Sequence, residues 1–342
     1  MTAADLLAGA MLAALVLYAL LAGADFGGGI WDLLATGPRK KAQRDLVEHA
    51  IGPIWEANHV WLILVVVLLF TGFPRAFAAI SITLFVPLVL LLFGIVLRGA
   101  AFTFRTYDNP EDRVQVRWGL VFSGSSVLAP LVLGVVVGAL ASGRLAGPPE
   151  GVDPLAWLAP FPIAVGFFAA AVFAFLAATY LAVEAKGPLQ EDFRRRAIGA
   201  GVAVFVVAAV AGALSWAEAP LVFAGLTRRG FSLPLHVATA IAAVTAFVAL
   251  FRRHYRLARA AAAAQVTLIV LGWGASQYPY LVVPELTLTE AAAPKATLVP
   301  VLWALAAGAV VLFPSLYLLF RVFKGERPFS VVDRPSTPGK ER

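Results

Sequence analysis

The sequence predicts an all-α polytopic membrane protein, with nine transmembrane helices arranged as two four-helix bundles plus one peripheral helix. Three observations carry this expectation. Of the 342 residues, 61% are hydrophobic and only 14% charged, whereas soluble domains run near half apolar and a quarter charged. Apolar stretches of about 18 residues or more recur from end to end, each long enough to span a bilayer as a helix. The basic residues, finally, collect in alternate connections between those stretches.

The spans fall near residues 6–28, 50–72, 76–98, 119–141, 159–184, 198–224, 233–251, 260–283 and 298–321. The first has no Lys or Arg before Arg39, so it reads as a retained helix rather than a cleaved signal. The second carries Glu56, Asn58 and His59 between Trp55 and Trp61 and stops at TGFP. The third ends at Arg98, the fourth at SGR, the fifth at KGP, and the sixth runs to TRRG. The seventh ends at an arginine pair, the eighth in a Pro-rich turn, and the ninth precedes a polar tail. The whole chain, 1–342, then reads as a single integral membrane domain: a first bundle over 1–141, a second over 159–283, a ninth helix at 298–321 and a cytoplasmic tail at 322–342. Helices 1–4 and 5–8 start on the same side, as in a parallel repeat about the membrane normal. Gly23/Gly27 and Gly134/Gly138 are spaced for close helix packing, although glycine is frequent in membrane helices anyway.

Topology follows from the basic residues. Of the 27 Lys and Arg, only Arg75, Arg144, Arg228, Arg229 and Lys295 lie on one side; the rest lie on the other or in the tail. The positive-inside rule then places the N-terminus outside and the C-terminus in the cytoplasm. The pI near 9.9 is thereby accounted for without nucleic acid. The absence of cysteine excludes disulfides, thiolate-held metals and a cysteine nucleophile in this chain. No nucleotide loop, HExxH helix or catalytic triad is present in the sequence.

Depth can now be compared across helices. Asp25 lies near the cytoplasmic end of the first span, Glu56 about 9 Å in from the same side at 1.5 Å per residue, and Arg98 at the cytoplasmic end of the third. Asp32 follows at the mouth. Acids inside a span are costly and mark functional sites, so Asp25 and Glu56 suggest a hydrated pocket that relays protons; an ion pair that only locks helices, with Arg98 snorkelling to the interface, is the structural alternative. His59 shares a helix face with Glu56 and either joins the relay or simply satisfies its nitrogens against a neighbour. Asn58 reads as an interhelical hydrogen-bonding group. Near the outer ends, Glu218, His236, Gln277 and Tyr278 either line a vestibule or quinone-head site or are merely interfacial, as Glu184 and Lys186 are on the inner side. The four histidines (His49, His59, His236, His254) offer no pair at matched depth for a haem, so no haem is expected on this chain.

The blocks LAGADFGGGIWDLLA, AIGPIWEANHVWLILVVVLLFTGFPRAFA, LRGAAFTFR, AATYLAVEAKGPL and YPYLVVPELTL succeed one another in a way that resembles subunit II of the cytochrome bd family of quinol oxidases. The resemblance implies a prokaryotic plasma-membrane respiratory complex that oxidises quinol and reduces dioxygen. It implies a haem-bearing subunit I as partner, holding haems b and d and most of the quinol site, with a small accessory membrane subunit and a quinone bound to this chain left open. It places the acid of the W-(D/E)-G-N motif on Glu56, in a cytoplasmic proton path, the second aspartate of the helix 1 motif on Asp25, and the basic residue closing helix 3 on Arg98. The sequence departs from that pattern at Ala22, where the family has its first aspartate, at Ala57 and at His59. The readings left in competition are a haem-free oxidase subunit, a self-contained proton-coupled secondary transporter, and a scaffold whose charges only fasten helices.

Overall fold

The computed structural model describes residues 2–51, 55–107, 113–145 and 155–324, apart from the side chains of 51, 55–57, 105–107, 113–116, 320 and 322–324. The expected tail lies almost wholly outside the described residues. The chain is helical nearly throughout. Its elements are α1 (Ala3–Leu33), α2 (Lys40–Ile51), α3 (Trp55–Gly72), α4 (Pro74–Thr83), α5 (Phe85–Tyr107), α6 (Arg113–Ser142), α7 (Pro160–Glu184), α8 (Gly187–Glu218), α9 (Pro220–Arg228), α10 (Ser232–Phe251), α11 (Tyr255–Gln277), the strands β1 (Tyr280–Val282) and β2 (Leu286–Thr287), α12 (Leu288–Ala291) and α13 (Lys295–Lys324). Among the described residues eight helices are long and apolar enough to cross a membrane; α3 and α4, bent by 117° at Phe73, make a ninth if they count as one span.

Local chemistry sets the element ends. Thr2 caps α1: its hydroxyl accepts from the Asp5 amide while the Asp5 carboxylate accepts from the Thr2 amide, a reciprocal box that satisfies two orphan donors. Prolines open α4, α7 and α9, where their missing N–H costs nothing because a first-turn donor has no intrahelical partner. The same property breaks α3 from α4.

Three expected boundaries are corrected. Residues 40–49, read as a connection, belong with the first two residues of the expected second span to α2, which turns Leu46 and Val47 into the core. The expected span 76–98 is divided at Leu84, and its second part, α5, continues past Arg98 to Tyr107. Arg98 does not end the helix because its charge finds partners inside the bundle, described below. The eighth span ends at Gln277; Pro279 and Pro284 disfavour helix, and the chain turns into the antiparallel pair β1–β2.

Side-chain contacts tie the basic connections together at one end. Arg39 donates to Asp192 at 2.6 Å, Arg196 to the Leu34 carbonyl at 3.0 Å, and Arg253 pairs with Glu191 at 3.7 Å. These join the α1–α2, α7–α8 and α10–α11 turns. At the opposite end Arg75 donates to the Glu290 carbonyl, Arg229 to that of Tyr278, and Arg144 pairs with Glu218.

The core centres on α1 and α7, which pack against each other. A β-carbon at Gly23 would lie 2.7 Å from the Phe173 ring, and one at Gly27 would overlap the Phe173 carbonyl. At Gly134 and Gly138 it would lie 2.6 Å from the Val165 carbonyl and 2.7 Å from Pro162 Cα. Gly27, Gly134 and Gly138 therefore sit where helices touch backbone to backbone, and Gly23 makes room for a ring, which is the geometry small residues permit in membranes. The Trp31 indole donates to the Ala174 carbonyl at 2.8 Å across the same seam. One apolar cluster runs from Tyr18 and Phe26 of the first half through Phe173 and Phe193 of the second. In contrast α13 leaves most of its apolar surface outside the chain, with Trp303 and Val310 about three-quarters exposed (73% and 74%).

Candidate functional site

The site is built on an arginine that cannot lose its charge. Arg98 of α5 is 1% exposed, and an unpaired guanidinium at that depth would be expensive. Its Nη2 donates to Asp25 Oδ1 at 2.7 Å and lies 3.4 Å from the Asp25 carbonyl, while Nε donates to Ser126 Oγ at 3.0 Å. The Phe26 and Phe122 rings lie 5.0 and 4.9 Å from the guanidinium carbon, within cation–π range. Three helices hold this cluster: α1 supplies Asp25 and Phe26, α5 supplies Arg98, and α6 supplies Phe122 and Ser126. Gly29 admits the contact, since a β-carbon there would collide with Ser126.

Asp32, expected at the mouth as a supporting polar residue, is buried and sits in a second cluster. Ser123 donates to its Oδ2 at 2.6 Å, and the Arg44 guanidinium approaches the same oxygen at 3.9 Å and donates to its carbonyl at 3.2 Å. This second cluster fastens α1, α2 and α6 rather than joining Asp25.

From α3, Asn58 is buried and His59 half-buried. The His59 ring stands edge-on to Phe26 at 5.6 Å and tilted against Tyr18 at 6.1 Å. His59 therefore touches the same Phe26 that covers Arg98. Glu56 belongs to the first turn of α3, and its side chain lies outside the described residues. A cavity of about 350 Å³ opens beside Asp25, bordered by α1, α3, α7 and α11 with Ala50 of α2 at its edge, and lined by Asn58, Tyr180, Glu184 and Arg259 among others.

Glu218 and His236, expected near the outer ends, have partners of their own. Glu218 accepts from the Phe161 amide and pairs with Arg144, His236 Nδ1 bonds the Ser232 carbonyl of its own helix at 2.6 Å, Gln277 is buried, and Tyr278 is exposed. His59 and His236 thus stand on α3 and α10 with separate partners, which does not suit a shared axial pair. Among the described residues no group of three or more His, Asp or Glu is placed to grip a metal ion.

Sequence reasoning missed Ser126, Ser123, Tyr18 and the cavity lining from α7 and α11. The serines left a signal: SGSS, at 123–126, puts three hydroxyls within one turn of a span. Tyr180, Glu184 and Arg259 left none, because each looks interfacial when read along its own helix.

A family model described as cytochrome bd terminal oxidase subunit II matches residues 3–323. The chain belongs to that family. A subunit II of Bacillus subtilis (strain 168) is 23% identical over 330 residues, covering 92% of this chain and 93% of its own length. The cytochrome bd-I ubiquinol oxidase subunit 2 of Escherichia coli (strain K12) is 31% identical over 209 residues, 58% of this chain and 53% of that one. In three dimensions the chain is similar to a chain of the bd oxidase from Geobacillus thermodenitrificans, with TM-score 0.81 and 22% identity over 94% of this chain and 99% of that one. The helical membrane fold is therefore that of bd oxidase. In this subunit II chain the Asp25–Arg98 cluster lies at the end of α1 nearer the basic connections.

Proposed function

We propose that this chain is the haem-free subunit II of a bd-type quinol:oxygen oxidoreductase, in which it braces the haem-bearing subunit I and carries part of a proton path from the cytoplasm. The family assignment favours this over a self-contained transporter. The observation that supports the path is the buried Asp25–Arg98 pair, reached from the basic, positive-inside end. In this reading the N-terminus is outside, helices 1–4 and 5–8 form two parallel units, and α13 is peripheral. The haems b and d and the quinol chemistry belong to subunit I.

The chemistry asked of the residues is modest. A proton entering from the cytoplasmic side is exchanged between Glu56 and Asp25, and His59, against the same Phe26, passes it onward. Arg98 is held by Ser126, by the Asp25 carbonyl and by two rings as well as by the carboxylate. These other partners hold the guanidinium in place while Asp25 changes charge, although its anion is then lost. Asn58 keeps its place as a buried amide beside that exchange.

The test is Glu56→Gln in the complex purified with its haem subunit, identified by reduced-minus-oxidised absorption. Oxygen consumption and membrane-potential generation should fall roughly tenfold, at the low end of what a positioned proton carrier contributes. Unchanged rates in an intact complex would reject the path, and recovery of the chain as an active, haem-free homo-oligomer would reject the subunit assignment.

A further inference from the structure

We propose that the cavity between α1, α3, α7 and α11 is a water-filled inlet through which cytoplasmic protons reach Asp25, with Glu184 as the acceptor at its mouth. This deepens the proton-path reading and rests on it.

Four features of the cavity point to water. Its walls are cut back by small residues, among them Ala24, Gly28, Ala177 and Ala263. Its volume of about 350 Å³ compares with about 30 Å³ for a water molecule in the liquid, so it has room for a connected chain of waters. Its polar lining converges from all four helices: Asp25 from α1, Asn58 from α3, Tyr180 and Glu184 from α7, and Arg259 from α11. Finally, Asn58 is 2% exposed, lines the cavity, and its Oδ1 has no hydrogen-bond partner among the described residues. A buried amide oxygen left in that state pays its desolvation without return; a water in the cavity supplies the missing bond.

The position is equally telling. Glu184 is the last residue of α7 and Arg259 lies one turn into α11, both half-buried at the end where the basic connections meet. Asp25, 4% exposed, closes the other end. The cavity thus joins the basic interface to the Asp25–Arg98 pair. Arg259 stacks on Tyr180 at 6.0 Å, which fixes it at the mouth rather than across the channel. With Glu184 and Asp25 set against Arg259 and Arg98, the lining carries no excess positive charge to repel an entering proton.

The step moves one proton and no electrons. A hydronium at the mouth gives its proton to a Glu184 carboxylate oxygen, that O–H bond breaks as the proton passes to cavity water, and the water chain delivers it to Asp25. Glu184 returns to its charged form.

The chain has no cysteine, so single cysteines report accessibility directly in the membrane-embedded complex. Ala177→Cys and Ala263→Cys should be modified by a charged, membrane-impermeant methanethiosulfonate added from the cytoplasmic side, while Ala178→Cys, buried on α7 away from the cavity, should not. If the two cavity cysteines are as inert as Ala178→Cys, the cavity is dry or lipid-filled and the inlet is overturned. Modification at Ala263→Cys should also slow potential generation. Glu184→Gln should slow it roughly tenfold, and Glu184→Asp should recover most of the loss. A normal rate in Glu184→Gln beside a slowed Asp25→Asn refutes the inlet and leaves the path standing; normal rates in both refute the path itself. If Glu184→Gln does not assemble, the labelled Ala263→Cys complex decides: an unslowed rate after full modification overturns the inlet.

Discussion

Breaking the Asp25–Arg98 pair from either side should be far more damaging than removing it whole. The two side chains are 1% and 3% exposed and meet at 2.7 Å, so solvent screening does not soften the interaction. Deleting one partner of a buried pair leaves an uncompensated charge and costs about 3–5 kcal/mol. Asp25→Leu strips the guanidinium of its anionic partner, and Arg98→Met strips the carboxylate of its cation. In the double variant neither charge remains. Methionine packs between Phe26 and Phe122 where the guanidinium lay, and Ser126 stays satisfied because its hydroxyl already donates to the Phe122 carbonyl at 2.7 Å. Replacement of buried pairs by apolar residues of similar volume is commonly neutral or stabilising by about 1–4 kcal/mol. The double variant should thus match the parent within about 1 kcal/mol, against about 6–10 kcal/mol for the summed single losses. The assay is a thermal-unfolding cycle on the four purified complexes, read by haem absorbance and by this chain's retention in the complex. A double variant as unstable as the worse single variant would refute the reasoning. Because Asp25 is also placed in the proton path, the stable double variant should remain slow in potential generation, which separates the bracing role from the conducting one.

Further outcomes follow from the same contacts. Gly27→Val should prevent assembly, because its side chain would enter the Phe173 carbonyl and Ala177, whereas Gly9→Ala, with nothing within 4 Å, should be neutral; membrane yield and co-purification decide. Arg39→Ala removes an ion pair whose arginine is 45% exposed, so its effect on stability should be small and vanish with added salt. The Thr287 hydroxyl and amide hold the Glu290 carboxyl below the usual carboxylate range. The sign follows from a lowered folded value: the capping contribution is present above about pH 4.3, the ordinary Glu value, and is lost as pH falls through the folded one. Hydrogen exchange across 286–292, corrected for its intrinsic pH dependence, should therefore quicken in acid, and Thr287→Ala should abolish the effect.

The candidate site was legible in part. Asp25 and Arg98 could be ranked by depth from the chain itself, because rise per residue is fixed and the basic connections mark one side. Their contact could not, since depth says nothing about azimuth: whether Asp25 faces α5 depends on how α1 sits against α6 and α7. Asp32 shows the limit plainly. It is seven residues from Asp25 on the same helix, yet it turns to Ser123 and Arg44 because α2 folds back beneath α1.

Hydropathy and charge asymmetry are properties of neighbouring residues, so the chain alone determined its membrane class, the approximate position of its crossings and the end at which its cations gather. Which apolar faces touch is settled by matching surfaces far apart in the chain. Only the tertiary structure therefore buried Arg98 under two phenylalanines, seated Gly27 against the backbone at Phe173, and brought Glu184 and Arg259 from the second half to wall a cavity beside Asp25.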